Sequence, residues 1–353
     1  MCVDPRRFIR AAAVVGFAVV VVTAFACGDA PPKQDSADGA PPAPKVLTAA
    51  ERAALYQECW ARFNTRAWDQ FRACYAETVE SEQVGSGHPA ARGVEAAMAT
   101  NRGFVEAFPD VKGTGELVLV NGDAIVSIYV LNGTHTGPLL GPDGQSIPAT
   151  GKPIGVYQAQ RIRTDALGSK VVEEESYSDS GTMMAQLGLN PAPARPVSSA
   201  AAAAPTIVVA AGTPAELSNV DRMRAQMAAY NSRDVKGMEA LNAPDLVYRD
   251  MTMPKDQTAA ESSAAMQAFF KAFPDAKLVP ISAWGAGDHV VVAGRFEGTN
   301  KGPLPAMGIK KPTGKAVSAR YLDIARWEKG KIKEEWLFYD GMAMAQQLGL
   351  GRK

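Results

Sequence analysis

Three kinds of side chain could carry chemistry here, and their spacing narrows the choice. The histidines are His88, His135 and His289. They lie far apart, and no His-x-His or Cys-x-x-Cys pair offers metal-ligand spacing, so the pattern speaks against a zinc or iron enzyme and names no metal ligand. Thr150-Gly-Lys152 and Thr313-Gly-Lys315 each put a lysine after a glycine. Neither has the Gly-x-x-x-x-Gly-Lys-Ser/Thr spacing that cradles a phosphate, and both read as turns between strands. Lys plus Arg (37) equals Asp plus Glu (37) among 353 residues. Without a basic excess to neutralise phosphates, a nucleic-acid partner is disfavoured.

The cysteines speak of compartment. Arg6, Arg7 and Arg10 precede an apolar run from Ala11 to Ala26, too short for a comfortable membrane span of about 20 residues. It reads as a signal peptide over residues 1–26. The run ends Thr23-Ala24-Phe25-Ala26-Cys27-Gly28, which resembles a bacterial lipobox. By that resemblance Cys27 becomes the lipidated first residue of an envelope lipoprotein facing the periplasm or exterior; plain cleavage nearby would instead give a soluble secreted protein. Residues 27–46, rich in Pro, Ala and Asp, read as a disordered tether. Cys59 and Cys74 then remain, flanking an expected helix hairpin in an oxidising compartment. A disulfide and two free buried thiols both fit that arrangement.

The rest of the chain is a duplication. Phe104-Val-Glu-Ala-Phe-Pro-Asp110 recurs as Phe269-Phe-Lys-Ala-Phe-Pro-Asp275, and Gly133-Thr-His-Thr-Gly-Pro138 as Gly298-Thr-Asn-Lys-Gly-Pro303, both offset by 165 residues. Thr-Gly-Lys and Gln-Leu-Gly-Leu follow in the same order in each half. The repeats occupy residues 47–191 and 215–353, joined by a Pro- and Ala-rich linker over 192–214. Ile207-Val-Val209 inside the linker is compatible with a short strand. In the second half Val220, Met223, Met227 and Tyr230 recur at helical spacing. A helix over about 258–273 ends at Pro274, and four extended segments follow, the last two joined by Lys329-Gly330. Helices first and antiparallel strands afterwards predict an α+β domain whose curved sheet wraps its helices and leaves a pocket at its open end.

Phe-Pro-Asp after the long helix, Gly-Thr-His/Asn-x-Gly, Thr-Gly-Lys, Gly-Lys-Ile-x-Glu-x-Trp and Gln-Leu-Gly together resemble the SnoaL-like polyketide cyclase (ester cyclase) family. The resemblance covers nearly all of both halves. It implies two tandem cone-shaped α+β barrels of the nuclear transport factor 2-like superfamily, and an intramolecular aldol condensation with no cofactor. The family's general acid/base aspartate follows the last strand, which by resemblance falls on Asp340 and Asp179. Trp336 and Phe338 share a strand face with Asp340 by alternation, and an apolar wall would raise that carboxylate's pKa. Glu175 and Tyr177 replace the Trp and Phe in the first half, so its pocket should be more polar. Each aspartate also precedes an expected helix, where Asp is a preferred N-cap. His135 falls where the family often has histidine, with Asn300 opposite it in the second half. Asp323 matches a frequent acidic position, with Gln160 its counterpart, and either an inward or a surface carboxylate fits there. Trp336, Phe338, Tyr177, His135, Asn300 and Asp323 are thus the expected substrate contacts.

Two functions are compatible with these residues. One is cofactor-free acid/base chemistry, ester cyclase or isomerase-like, on a small hydrophobic carbonyl compound. The other is a non-catalytic envelope lipoprotein that binds an apolar ligand or a protein. In either case the halves could pair within the chain as a pseudo-dimer.

Overall fold

Three long helices begin with the same local chemistry. Thr48, Thr213 and Thr258 each accept a hydrogen bond from the backbone of a glutamate three residues on, Glu51, Glu216 and Glu261, whose carboxylate bonds back to the threonine amide. Each capping box satisfies amides that the helix itself leaves unpaired. The computed structural model describes residues 44–141, 144–200 and 202–350. Cys27, the signal segment and nearly all of the expected tether lie outside the described residues.

The first half runs α1 (Ala49–Asn64), α2 (Trp68–Arg72), β1 (Tyr75–Gln83), β2 (Ala91–Arg92), α3 (Val94–Ala107), β3 (Lys112–Asn121), β4 (Ala124–Thr134), β5 (Leu139–Leu140), β6 (Ser146–Ile147), β7 (Pro153–Thr164), β8 (Val171–Tyr177) and α4 (Ser180–Gln186). A strand from the linker, β9 (Thr206–Val209), follows. The second half repeats the order: α5 (Pro214–Ser232), α6 (Val235–Glu239), β10 (Asn242–Asp250), β11 (Gln257–Thr258), α7 (Ala259–Ala272), β12 (Lys277–Ala286), β13 (His289–Thr299), β14 (Ala316–Glu328), β15 (Lys331–Phe338) and α8 (Gly341–Gln347).

Each half is an α+β domain of the expected kind, with one departure in its sheet. The strand orders are β2-β1-β8-β7-β4-β3-β9 and β11-β10-β15-β14-β13-β12. The long strands pair antiparallel, but β1 runs parallel to β8 and β10 parallel to β15. The linker departs more. β9 pairs in parallel with β3, and Ser198 exchanges hydrogen bonds with Gly155 and Asn132, so residues read as a spacer complete the first sheet.

The recurring motifs prove to be joints of the scaffold. Asp110 and Asp275 accept the amides of Thr134 and Thr299, both at 2.7 Å, tying the end of the long helix to a strand end. A Cβ on Gly137 would lie 1.9 Å from the Glu106 carbonyl oxygen, and one on Gly302 2.6 Å from that of Lys271, so only glycine permits the crossing. The backbones of His135 and Asn300 pair with the Thr-Gly-Lys turns.

Both faces of both sheets are covered. The concave face of the second sheet packs on α5 and α7 through Val220, Met227, Phe270 and Phe273. The convex faces of the two sheets share one apolar cluster that includes Leu119, Val126, Ile128 and Tyr177 from the first half and Val291, Leu322, Ile324 and Phe338 from the second. Polar contacts frame it: Arg320 binds Glu82 at 2.6 Å and also Glu175, which pairs with Arg161 at 2.7 Å.

Cys59 of α1 and Cys74, just before β1, are joined by a disulfide with a separation of 15 residues. A closed loop of this size constrains the unfolded chain by about 3 kcal/mol. Replacing both cysteines by serine should lower unfolding stability by about that amount, read from denaturant midpoints against the oxidised protein.

Candidate active site

The second half encloses a cavity of about 250 Å³ between α5, α7, the concave sheet face and α8. Its walls are mainly apolar, with Met227 from α5, Met266 and Phe269 from α7, Phe296 from β13 and Met344 from α8. Strand alternation decides which polar groups enter. Tyr321 and Asp323 point inward from β14 while Leu322 and Ile324 point outward. On β15, Glu335 and Leu337 line the cavity, as does Tyr339 just beyond the strand.

Asp323 stands opposite Leu337 and Ala325 opposite Glu335, so the two carboxyls are diagonal neighbours on one face. They are hydrogen-bonded to each other, which requires a proton between them. Burial raises both pKa values; Glu335 is pushed up to about 7, and the neighbouring Glu335 charge drives Asp323 well above the usual carboxylate range. The two carboxyls therefore titrate as a pair, and near neutral pH a proton held by the pair leaves one group able to act as acid and the other as base. Asp250 lines the same cavity, also raised by burial, and accepts from Thr252 N at 2.9 Å, Thr252 Oγ1 at 2.8 Å and Tyr339 Oη at 3.3 Å. Such a site can take a proton from a weak carbon acid and return it to an oxygen. Among the described residues, no three His, Cys, Asp or Glu side chains gather as a metal-binding group.

Of the residues expected to contact substrate, Asp323 lines the cavity and the others do not. Asp340 and Asp179 sit where the two halves meet. Asp340 caps α8 through Ala343 N at 2.9 Å and accepts from Ser180 Oγ of the other half at 2.6 Å. Asp179 caps α4 through Thr182 N at 2.7 Å and accepts from Gly341 N of the other half at 3.0 Å. Their capping role is realised, and each also latches the opposite helix; the void beside Asp179 holds about 10 Å³. Trp336 and Phe338 do share a face, but it is the convex one, where Phe338 and Tyr177 are buried between the halves. His135 and Asn300 are fully buried loop pins. Thr150 N donates to His135 Nδ1 at 3.2 Å and Thr313 N to Asn300 Oδ1 at 2.7 Å. Burial lowers the His135 pKa, keeping the ring neutral against Phe108, with centroids 5.1 Å apart.

The misplaced face has a local cause. Arg326 pairs with Glu334 but Trp327 with Ile332, so Lys333 is an extra residue in β15. This bulge exchanges inward and outward positions beyond it. Counting in twos from Ile332, a core residue, puts Trp336 and Phe338 inside; the bulge puts Glu335, Leu337 and Tyr339 there. The bulge thus hides Glu335 and Tyr339 from the alternation, while Tyr248 and Asp250 of β10 have no spacing signature of their own.

In the first half aromatic rings occupy the matching region. Trp60 lies over Tyr129 with ring centroids 4.2 Å apart, a position open because a Cβ on Gly113 would meet the indole at 2.3 Å. Trp60 Nε1 donates to Tyr56 Oη at 2.8 Å, and Tyr56 Oη donates to Gln160 Oε1 at 2.7 Å. Gln160 bonds Glu174, the counterpart of Glu335, and Ser81 Oγ donates to Glu174 at 3.2 Å. The acid of the second half has become an amide, bonded through both its oxygen and its nitrogen.

The family described as SnoaL-like polyketide cyclase matches residues 50–187 and 220–348. None of the curated proteins matches the sequence. Solved structures similar to this chain include AclR from Streptomyces galilaeus, with 24% identity, TM-score 0.35 and coverage of 39% of this chain and 99% of its own. IdmH from Streptomyces antibioticus has 25% identity and TM-score 0.33, covering 37% of this chain and 98% of its own. TsrD from Streptomyces laurentii has 22% identity and TM-score 0.34, covering 38% and 97%.

The latch has a pH signature. Burial, with the Asp179 charge nearby, raises Asp340 to about 6, so the folded state holds its proton more tightly than the unfolded chain does. Its contribution is intact below about pH 4 and is lost as pH rises through about 6, on the order of 3 kcal/mol. Asp340→Asn, which keeps a cap, should flatten the fall in stability between pH 4 and 7 in denaturant titrations. An unchanged slope would contradict this.

Proposed function

As this chain belongs to the SnoaL-like polyketide cyclase family, we propose that its second half performs cofactor-free proton transfer, cyclase or isomerase-like, on a small hydrophobic carbonyl compound. The observation that carries the reading is the pair of carboxyls, Asp323 and Glu335, standing as diagonal neighbours in the wall of an apolar cavity. The Glu335 carboxylate removes a proton from the carbon beside the carbonyl, and the Asp323 carboxyl gives its proton to the carbonyl oxygen. The substrate C–H and the Asp323 O–H break, O–H bonds form on Glu335 and on the carbonyl oxygen, and the product is an enol ready to attack a second carbonyl or be reprotonated elsewhere, with the proton of the pair now on Glu335. Tyr321, buried with its hydroxyl unpartnered, is a further donor for that oxygen. The first half, with aromatic rings in the matching region, serves as the packing partner that fixes the convex face of the active sheet.

We further propose export and lipid anchoring through Cys27, supported by the basic start, the apolar run and Ala26 before the cysteine. On this reading the hydrophobic substrate is met at a membrane surface, outside the cytoplasm.

Deuterium uptake beside the carbonyl of 2-tetralone, followed by NMR in heavy water, tests the chemistry without knowing the natural substrate. Asp323→Asn and Glu335→Gln should each slow exchange by about 10² to 10⁴-fold. The wild-type rate should rise with pH through about 7 as Glu335 ionises and fall again where Asp323 loses its proton. Exchange undiminished in both folded variants would refute the assignment. For anchoring, Cys27→Ala should abolish metabolic labelling by a fatty-acid tracer and release the chain from the membrane fraction.

A further inference from the structure

The cavity wall holds carboxyl groups and no basic side chain. The carboxyls are those of Glu239, Asp250, Asp323 and Glu335. Neighbouring guanidiniums are engaged outside it: Arg195 pairs with Asp256 at 2.6 Å and donates to the Asp250 backbone, Arg249 pairs with Glu334 at 2.9 Å, and Arg233 donates to the backbone of Tyr230 and Pro274. The remaining surface suits a cation as well. Tyr230, Tyr248, Tyr321 and Tyr339 line it, and aromatic faces attract positive charge. Seven methionines line it too, giving a polarisable and adaptable apolar wall.

A second observation points to what is missing. Gln226 and Tyr321 line the cavity at 9% and 4% exposure, and Gln226 Oε1 and Tyr321 Oη have no hydrogen-bond partner. Asn242 Oδ1 and Asp323 Oδ1 on the same wall are also unpartnered. Buried polar atoms without partners are costly and uncommon in folded proteins. A ligand that brings N–H donors would satisfy them, and one that brings a positive charge would balance the carboxylates.

We propose that the ligand of this cavity carries a protonated amine on a compact apolar body, its N–H groups directed to the carboxylates and unpartnered oxygens and its apolar part against the methionines. The inference rests on the reading that this cavity is the substrate site, and adds the charge of the substrate to it. An amine in the substrate would also hold its carbonyl in one orientation over the Asp323 and Glu335 pair.

Three probes with one skeleton test it: protonated 2-aminotetralin, neutral 2-tetralone and anionic tetralin-2-carboxylate, titrated calorimetrically into the full chain at pH 7. The expected result is binding of the amine at least about tenfold tighter than the ketone, with the carboxylate weakest. Asp250→Asn should reduce the preference for the amine over the ketone; if that variant does not fold, Glu335→Gln provides the same comparison. Equal or tighter binding of the ketone overturns the proposal, as does a preference unchanged in a folded variant, or no binding by any probe. Ketone binding and proton exchange without amine preference would overturn this inference alone and leave the acid/base reading standing. Amine preference without any exchange would do the reverse.

Discussion

Each sheet of this protein has two apolar faces, and its own helices can cover only one. The other is the convex face, and in this chain the opposite half covers it. That constraint orders the rest of the structure. Because Phe338, Leu322 and Ile324 are committed to the contact between halves, the alternate positions on the same strands face the helices, and there Asp323, Glu335 and Leu337 meet the cavity. A carboxyl pair deep in an apolar wall is tolerable only if it shares a proton, and rigid backing on the convex side keeps the two strands in the register that makes sharing possible. The latch formed by Asp179 and Asp340 closes the same contact at its end.

Duplication has let the two halves diverge in complementary ways. The first is built around aromatic rings and a closed set of hydrogen bonds, Trp60 to Tyr56 to Gln160 to Glu174. The second has Met227, Asp323 and Glu335 at the positions of Trp60, Gln160 and Glu174, leaving space and unmet polar atoms. Packing rings into one interior stabilises that half; opening the other costs packing and exposes groups that can act. A single domain would have to make both compromises in one core.

How much of this the sequence discloses depends on what repeats. The Phe-Pro-Asp, Gly-Thr-x-x-Gly-Pro and Thr-Gly-Lys segments recur because they make the joints between helix, strand and turn, and they led to the α+β fold and the family. Recurrence is a poor guide to the site: Glu335 recurs as the glutamate Glu174, but its partner Asp323 does not recur as an acid. Asp340 and Asp179 recur and are caps; His135 and Asn300 recur as a pair and are loop pins. Asp323 has no acidic twin in the first half, and it lines the cavity. The one-residue bulge at Lys333 hid the remainder, since alternation cannot reveal which face a strand presents once its count is interrupted. Cys59 and Cys74 were legible as neighbours of one hairpin, but only geometry decides between a bridge and two thiols.

The strand drawn from the linker bears on how the chain is made. β9 pairs with β3, yet it comes after every other element of the first half in the chain. In a chain that emerges N-terminus first into the compartment where it folds, the edge of the first sheet therefore lacks its neighbour until residues 206–209 have emerged, when the first sheet can close ahead of the second half. Vectorial emergence thus favours completing the first half before the second, so that its convex face is available as a template when the second sheet forms.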